Sequence, residues 1–484
     1  MTITSAFSNA LSGLSASARM AEIVSSNTAN VMTEGYARRE LVLSPHSLGG
    51  NGAGVKIEGV SRQVNAVVLQ DRRLADAAAG NATIRTDFLA RFEAQLGDAT
   101  DSDSLSARVT GLESALVEAA SLPESEARLA AVVDSAEDIA GQLNTISRDI
   151  EEVRTQADHS IADQVELLNT TLKQIDELNH EILVQKTSGS DASSLEDQRQ
   201  TLIDTVSEIV PVRQVTRENY QISLYTTGGA ILLDDNPVEI GFTPVNVVTP
   251  YMTQEGGQLS GLTIAGMPVS TRDDGVLGGG TLGALFAVRD ELAPAAQQQI
   301  DGFARELVER FSSTAADSTL TPGTPGLFTD NGVAFDPVDE VGLASRISVN
   351  ALVVPEEGGA LWRLRDGLGA VSAGPVSNAT QLQALADTLS ATQAPASSSF
   401  STAQRSMSGL AADMLSSASQ NRQTAEVTES YAIARQETAT EMSLADGVDT
   451  DYELQTLLKV EQAYAANAKV IQTLDTLLQQ ILEI

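Results

Sequence analysis

The stretch Gly278-Gly279-Gly280-Thr281-Leu282-Gly283 has the glycine spacing of a dinucleotide site, where bare backbone approaches a pyrophosphate at a helix N-terminus. Such a site needs a βαβ unit around it. Thr271 to Asp274, just upstream, are not a buried strand, so the glycines read as a loop opening a helix. His46, His159 and His180 are too far apart in the chain to suggest a metal cluster, the last two being 21 residues apart on a long helix. Glu151-Glu152 and Glu356-Glu357 read as solvated surface rather than a glycosidase acid pair. Asn81-Ala82-Thr83 matches a glycosylation triplet, which arises by chance in any Ser- and Thr-rich chain. Cysteine is absent, which excludes disulfides, thiolate metal sites and cysteine nucleophiles. We expect no catalytic residue, no cofactor and no metal.

With chemistry set aside, composition bounds the partners. The 484 residues leave room for two to four domains with real cores. Thirty basic against 65 acidic residues give a net charge of −35, a field that repels phosphate backbones and anionic lipid. Nucleic acid and membrane are therefore not expected as partners. Met1 to Asn30 lacks the basic and apolar blocks of a cleavable signal, and no apolar run is long enough to span a bilayer. Aromatics make up 4% of the chain, with Trp362 the one tryptophan, which favours long helices over a compact β core.

Helical spacing dominates the chain. Phe7, Leu11, Leu14, Ala18 and Ala21 form a narrow stripe that Gly35 ends, and Val55 and Ile57 alternate with Lys56 and Glu58 as in a hairpin. Leu105 to Ala119 repeats the helical stripe up to Pro123. A longer seam follows from Ile139 to Ile182, with consecutive steps of four around Ala157, a stutter that locally unwinds a supercoil. Residues 211–280 alternate with period two between glycines and prolines. Helix resumes at Leu282, breaks at Thr321 to Gly326, and returns with Met407, Leu410, Met414, Val427 and Tyr431.

The last seam, Leu457, Val460, Tyr464, Asn467, Ile471, Leu474, Leu478 and Ile481, alternates steps of 3 and 4. Both ends of the chain thus carry apolar stripes with no local element to cover them. The expected solution is that the first and last helices pair and that pairs pack against neighbouring molecules. An intramolecular coiled coil without a polymer is the alternative. Asn467, polar at a seam position, could fix register.

The fold class expected is mainly α: long helical bundle or coiled-coil domains formed by both termini, with a small β-rich inserted domain. We divide the chain into 1–45 with 446–484 as a terminal coiled-coil core, 46–210 with 281–445 as a helical bundle, and 211–280 as the insert.

Particular residues narrow the reading. Asn27 to Arg38, with Asn27, Asn30, Gly35 and Tyr36 in place, resembles the N-terminal signature of flagellar rod, hook and hook-associated axial proteins. Gly35 can take positive φ after the helix, and Asn30 and Thr33 can bond its free backbone ends. Met32 and Glu34 depart from the residues common there. Leu457 to Ile471 resembles the C-terminal signature of the same proteins. Leu195, Asp197, Gln198 and Arg199, after the long helix, resemble a Leu-x-Asp-Gln-Arg segment of the first hook-associated family; by themselves they would read as a helix start with solvated charges. The resemblance touches residues 5–73, 105–233, 280–350 and 400–484, and leaves the insert itself unmatched.

The resemblance implies a secreted, self-assembling structural protein at the extracellular hook–filament junction of the bacterial flagellum. It implies export through the flagellar type III apparatus with a cytoplasmic export chaperone. Its other partners would be further copies of itself, the hook protein and the next hook-associated junction protein. Assembly would use Phe7, Leu11, Leu14, Asn27, Asn30, Gly35 and Tyr36 with Leu457, Val460, Tyr464, Asn467, Ile471, Leu474, Leu478 and Ile481. Alternatives are another axial protein of hook or distal rod, or an axial protein carrying a muramidase, for which residues 211–280 look too short.

Overall fold

The computed structural model describes residues 3–33, 35–48, 51–98 and 100–482; Glu34 of the N-terminal motif and the last two residues lie outside them. Helix α1 (Ile3–Ala29) leads into a hairpin of β1 (Arg39–Leu48) and β2 (Asn51–Arg62). The hairpin lies on α1, where Ser12 Oγ accepts a hydrogen bond from the Val55 amide at 3.1 Å. The division at residue 45 falls inside β1.

The body is built on α2 (Ala66–Leu96), α3 (Leu105–Ser121), α4 (Glu126–Thr187) and α5 (Ser193–Ile209). One face of α4 is buried from Leu129 to Ile182, mostly through leucine, isoleucine and valine, with Arg154, Ala157 and Asp158 taking their place between Ile150 and Ile161. At the stutter the core changes over. Residues of α4 up to Ala157 pack into a large cluster with the later helices, and those from Ile161 onward pack into a second cluster with α5 and the insert.

Two small antiparallel sheets make the insert: β3 (Val212–Thr216), β4 (Ile222–Thr226) and β5 (Ile231–Leu233), then β6 (Ile240–Gly241), β7 (Leu262–Ile264) and β8 (Met267–Val269). Neither sheet builds a core of its own. Ile222, Leu224, Leu233, Ile240 and Leu262 are buried in the cluster that α4 and α5 provide, because strands this short bury too little alone.

Gly278 to Gly280 return the chain to α6 (Gly280–Ala287). Gly280 has φ of 62°, and a side chain there would run into the Ile209 carbonyl, so these glycines serve a tight joint between insert and helix. A π-helical segment, Val288–Leu292, then precedes α7 (Ala293–Phe311). Beyond it come β9 (Phe328–Asp330), α8 (Leu343–Arg346), β10 (Ile347–Val349), α9 (Trp362–Asp366) and α10 (Thr380–Ser390), which cap the larger core.

The π segment carries Arg289 to the point where the two cores meet. Its Nη1 donates to Asp158 Oδ1 at 2.6 Å and its Nη2 to the Ser260 carbonyl at 2.9 Å. Arg154 fans out to the carbonyls of Arg289, Thr249 and Met252 at 2.9, 3.0 and 2.8 Å. Asp158 accepts the Val245 amide as well. The stutter therefore coincides with a buried polar lock that pins the insert to both helical halves.

Helix α11 (Met407–Ala445) begins in the bundle core with Met407, Leu410 and Met414, capped by Ser406 Oγ. It then runs antiparallel to α2 over alanines, with Ala432 against Ala79 and Ala82. Val427 and Tyr431, which continue its apolar spacing, are exposed on the outer side. The last helix, α12 (Thr450–Leu482), turns back onto α1.

Candidate assembly site at the root of the terminal helix pair

Helices α1 and α12 are antiparallel, which two contacts fix: Asn27 donates to Glu453 at 3.1 Å, and Asn467 lies against Gly13. A methyl group added to Gly13 would sit 2.7 Å from Asn467 Nδ2, so the glycine is what admits the asparagine. Asn467 itself bonds its own helix, at the Ala463 carbonyl. Glu453, Val460, Asn467 and Leu474 recur every seven residues as the covered face of α12, and Ala10, Ala16, Ser17, Ile23 and Val24 are buried on α1. Small residues allow the close approach.

The larger apolar residues read as the terminal stripes lie mostly outside this contact. Phe7 and Leu11 are exposed on α1, with Leu14 half-buried; Tyr464, Leu478 and Ile481 are exposed on α12, with Leu457 and Ile471 half-buried. Of the stripe on α12, Val460 and Leu474 are buried.

At the root of the pair the signature residues form a polar knot. The Asn27 amide donates to the Arg39 carbonyl at 3.0 Å and to Glu453, while its oxygen accepts the Arg39 amide at 3.0 Å and the Tyr36 hydroxyl at 2.9 Å. Every hydrogen-bonding direction of one buried side chain is used. Asn30 bonds back to the Ser26 carbonyl at 2.8 Å, and Gly35 turns with φ of 76°. A side chain at Gly35 would strike Thr201 of α5. Arg38 lies 3.6 Å from Glu453 and stacks on Tyr452 at 4.9 Å.

Asp197 ties this knot to the body. Its carboxylate takes Arg39 Nη2 at 2.9 Å, Arg62 Nε at 2.8 Å and the Ala37 amide at 3.2 Å. Arg199, two residues on, is buried and donates to Asn179 Oδ1 at 2.8 Å and the Tyr220 carbonyl at 3.0 Å. Leu195 is half-buried and Gln198 exposed. The expected helix start is present, but Asp197 and Arg199 are tethers rather than solvated charges.

Sequence reasoning missed Arg38, Arg62, Tyr452 and Glu453. Glu453 sits one heptad before Val460, but a carboxylate at a seam position reads as surface until its partners are known. Among the described residues no group of three or more histidines and carboxylates is placed to hold a metal, and no helix is long and apolar enough to cross a membrane.

Residues 89–328 match the family model described as the flagellar hook-associated protein FlgK helical domain, and the match runs through the insert that the motif resemblance left out. Residues 441–484 match the flagellar basal body rod FlgEFG protein C-terminal model. Flagellar hook-associated protein 1 of Salmonella typhimurium is 26% identical over 290 residues, covering 57% of this chain and 51% of that one. The Bacillus subtilis protein of the same name is 23% identical over 375 residues, covering 71% and 73%. A solved structure, the flagellar hook junction protein FlgK from Burkholderia pseudomallei, has a TM-score of 0.45 and 20% identity, over 54% of this chain and 47% of that one. The chain spans about half the length of the first curated relatives it matches. At low identity, the chain is homologous to the flagellar hook-associated proteins and the wider set of rod and hook axial proteins.

Proposed function

We propose that the chain is a structural junction protein of the bacterial flagellum, assembling on the distal end of the hook and connecting it to the filament. The observation that carries this is the terminal pair: α1 and α12 lock together through small and polar residues while their large apolar residues stay open. Exposed stripes on a paired element mark a surface for further copies. In this reading pairs pack side by side around the axis, and the helical body and insert form the layer outside them.

No residue is assigned a catalytic role, and no cofactor or metal is called for. The partners are further copies of the chain, the hook protein, the next hook-associated junction protein, an export chaperone and the type III export apparatus, and the place is extracellular. Deleting the gene in its own host, with electron microscopy of the cells and a flagellin assay of the medium, tests this. Hooks without filaments and flagellin lost to the medium are expected. Missing hooks would indicate a rod or hook protein, and intact motile flagella would refute the reading.

A further inference from the structure

A cleft of about 440 Å³ opens between β2, α2, α5 and the first sheet of the insert. Four cations line it, Arg62, Arg73, Lys186 and Arg199, against one carboxylate, Glu196. In a chain with 65 acidic and 30 basic residues, that is a local reversal of charge. Two of the cations are already neutralised: Arg62 by Asp197, and Arg73 by Asp204 at 2.6 Å. Lys186 shares Glu196 at 3.3 Å and lies over the Tyr220 ring at 5.3 Å.

Arg199 has no carboxylate within ion-pair distance among the described residues. Both of its side-chain hydrogen bonds come from Nη1 and go to neutral oxygens, which leaves its Nε and Nη2 edge available. Burial draws its guanidinium down to about 10, with the Arg62 charge adding to the fall and Glu196 opposing it. Tyr220, which lines the cleft, takes φ of 64° after Asn219 at 65°, a left-handed conformation that asparagine tolerates and a bulky aromatic residue rarely adopts. That turn offers the Tyr220 carbonyl to Arg199 and its ring to Lys186. Strain of this kind collects at ligand clamps.

We propose that this cleft receives a carboxylate side chain from a second copy of the chain, held by Arg199 and Lys186. A second copy supplies the complementary group, since the chain carries 65 carboxylates against 30 basic residues. Position agrees: Arg62 joins the cleft to Asp197 and so to the root of the terminal pair. The inference rests on the proposal that copies assemble through that pair.

The chain has five lysines, so carbodiimide coupling of lysine amines to the carboxylates they touch gives a short list of products. Equal amounts of ¹⁴N- and ¹⁵N-labelled full chain are mixed, assembled, coupled, digested and read by mass spectrometry. A mixed-isotope link from Lys186 is expected in the sedimenting fraction, and its peptide identifies the acid. Arg199→Gln lowers the yield of that link about tenfold, the factor carried by about 1.4 kcal/mol, and Arg199→Lys restores it. If Arg199→Gln fails to fold, Lys186→Glu is used instead, with the dissociation constant of the assembly expected to rise by a similar factor. Assemblies in which Lys186 links only to Glu196 of its own copy overturn the cleft proposal alone. Protection of Lys186 in dilute monomer by inorganic phosphate also overturns it, by making the cleft a small-anion site. Absence of any sedimenting assembly overturns the assembly reading and the cleft proposal together.

Discussion

At the residue scale, Asn27 holds three segments through one amide group, and removing it strands a carboxylate as well as a backbone pair. Asn27→Ala leaves Glu453 buried with Arg38 as its one ion-pair partner among the described residues, and frees the Arg39 amide and carbonyl. Unmet buried polar groups cost about 1 to 3 kcal/mol each, so the pair is expected to loosen by about 2 to 3 kcal/mol. Hydrogen exchange of α1 and α12 amides, compared with those of α4, measures this directly.

Asp301 makes a different residue-scale case. Burial pushes its carboxyl up to about 6, against the pull of the Ala344 and Gly342 amides and Gln297. The folded protein therefore holds that proton more tightly than the unfolded chain does. The stability it contributes is complete below the ordinary aspartate range near 3.8 and is lost as pH rises through about 6. Thermal melts of the wild type and Asp301→Asn between pH 4 and 7 should show the wild type's advantage shrinking with rising pH. The change is about 3 kcal/mol at most, because a tenfold difference in proton affinity between the folded and unfolded chain is worth about 1.4 kcal/mol.

At the scale of the element, α12 has two faces that substitution can separate. Val460 is buried on the face toward α1, while Leu458 is 59% and Ile481 57% exposed. Val460→Ser is expected to weaken the helix pair within one molecule by about 1.5 to 3 kcal/mol, seen as faster exchange in dilute monomer. Leu458→Ser with Ile481→Ser should leave that exchange unchanged and reduce assembly in sedimentation. Equal assembly by this double variant would place the contact between copies elsewhere.

Across the whole molecule, what the sequence displayed depended on side-chain size. The seam of α4 was legible because large apolar residues recur at helical spacing on both sides of Ala157, and the stutter there marks a physical boundary between two cores. The contact face of α1 was not, because Ala10, Gly13, Ala16 and Ser17 carry little apolar weight and act by being small. Val427 and Tyr431 misled in the opposite direction: they fit the helical period of α11, yet the helix leaves the core and rests on alanines. Asp197 and Arg199 stood out through resemblance, but their partners come from α4, β1, β2 and the insert, and no local pattern could have supplied those.

The bond between Asn27 and Glu453 closes a loop of 426 residues. Closing so long a loop is slow compared with the local folding of helices, so this contact is among the last to form. It also acts as a check on completeness, since a chain missing either end leaves Asn27 or Glu453 without its partner across the helix pair. Molecules that seat the knot are those whose intervening cores are already made, and the surface they then offer is that of a finished part.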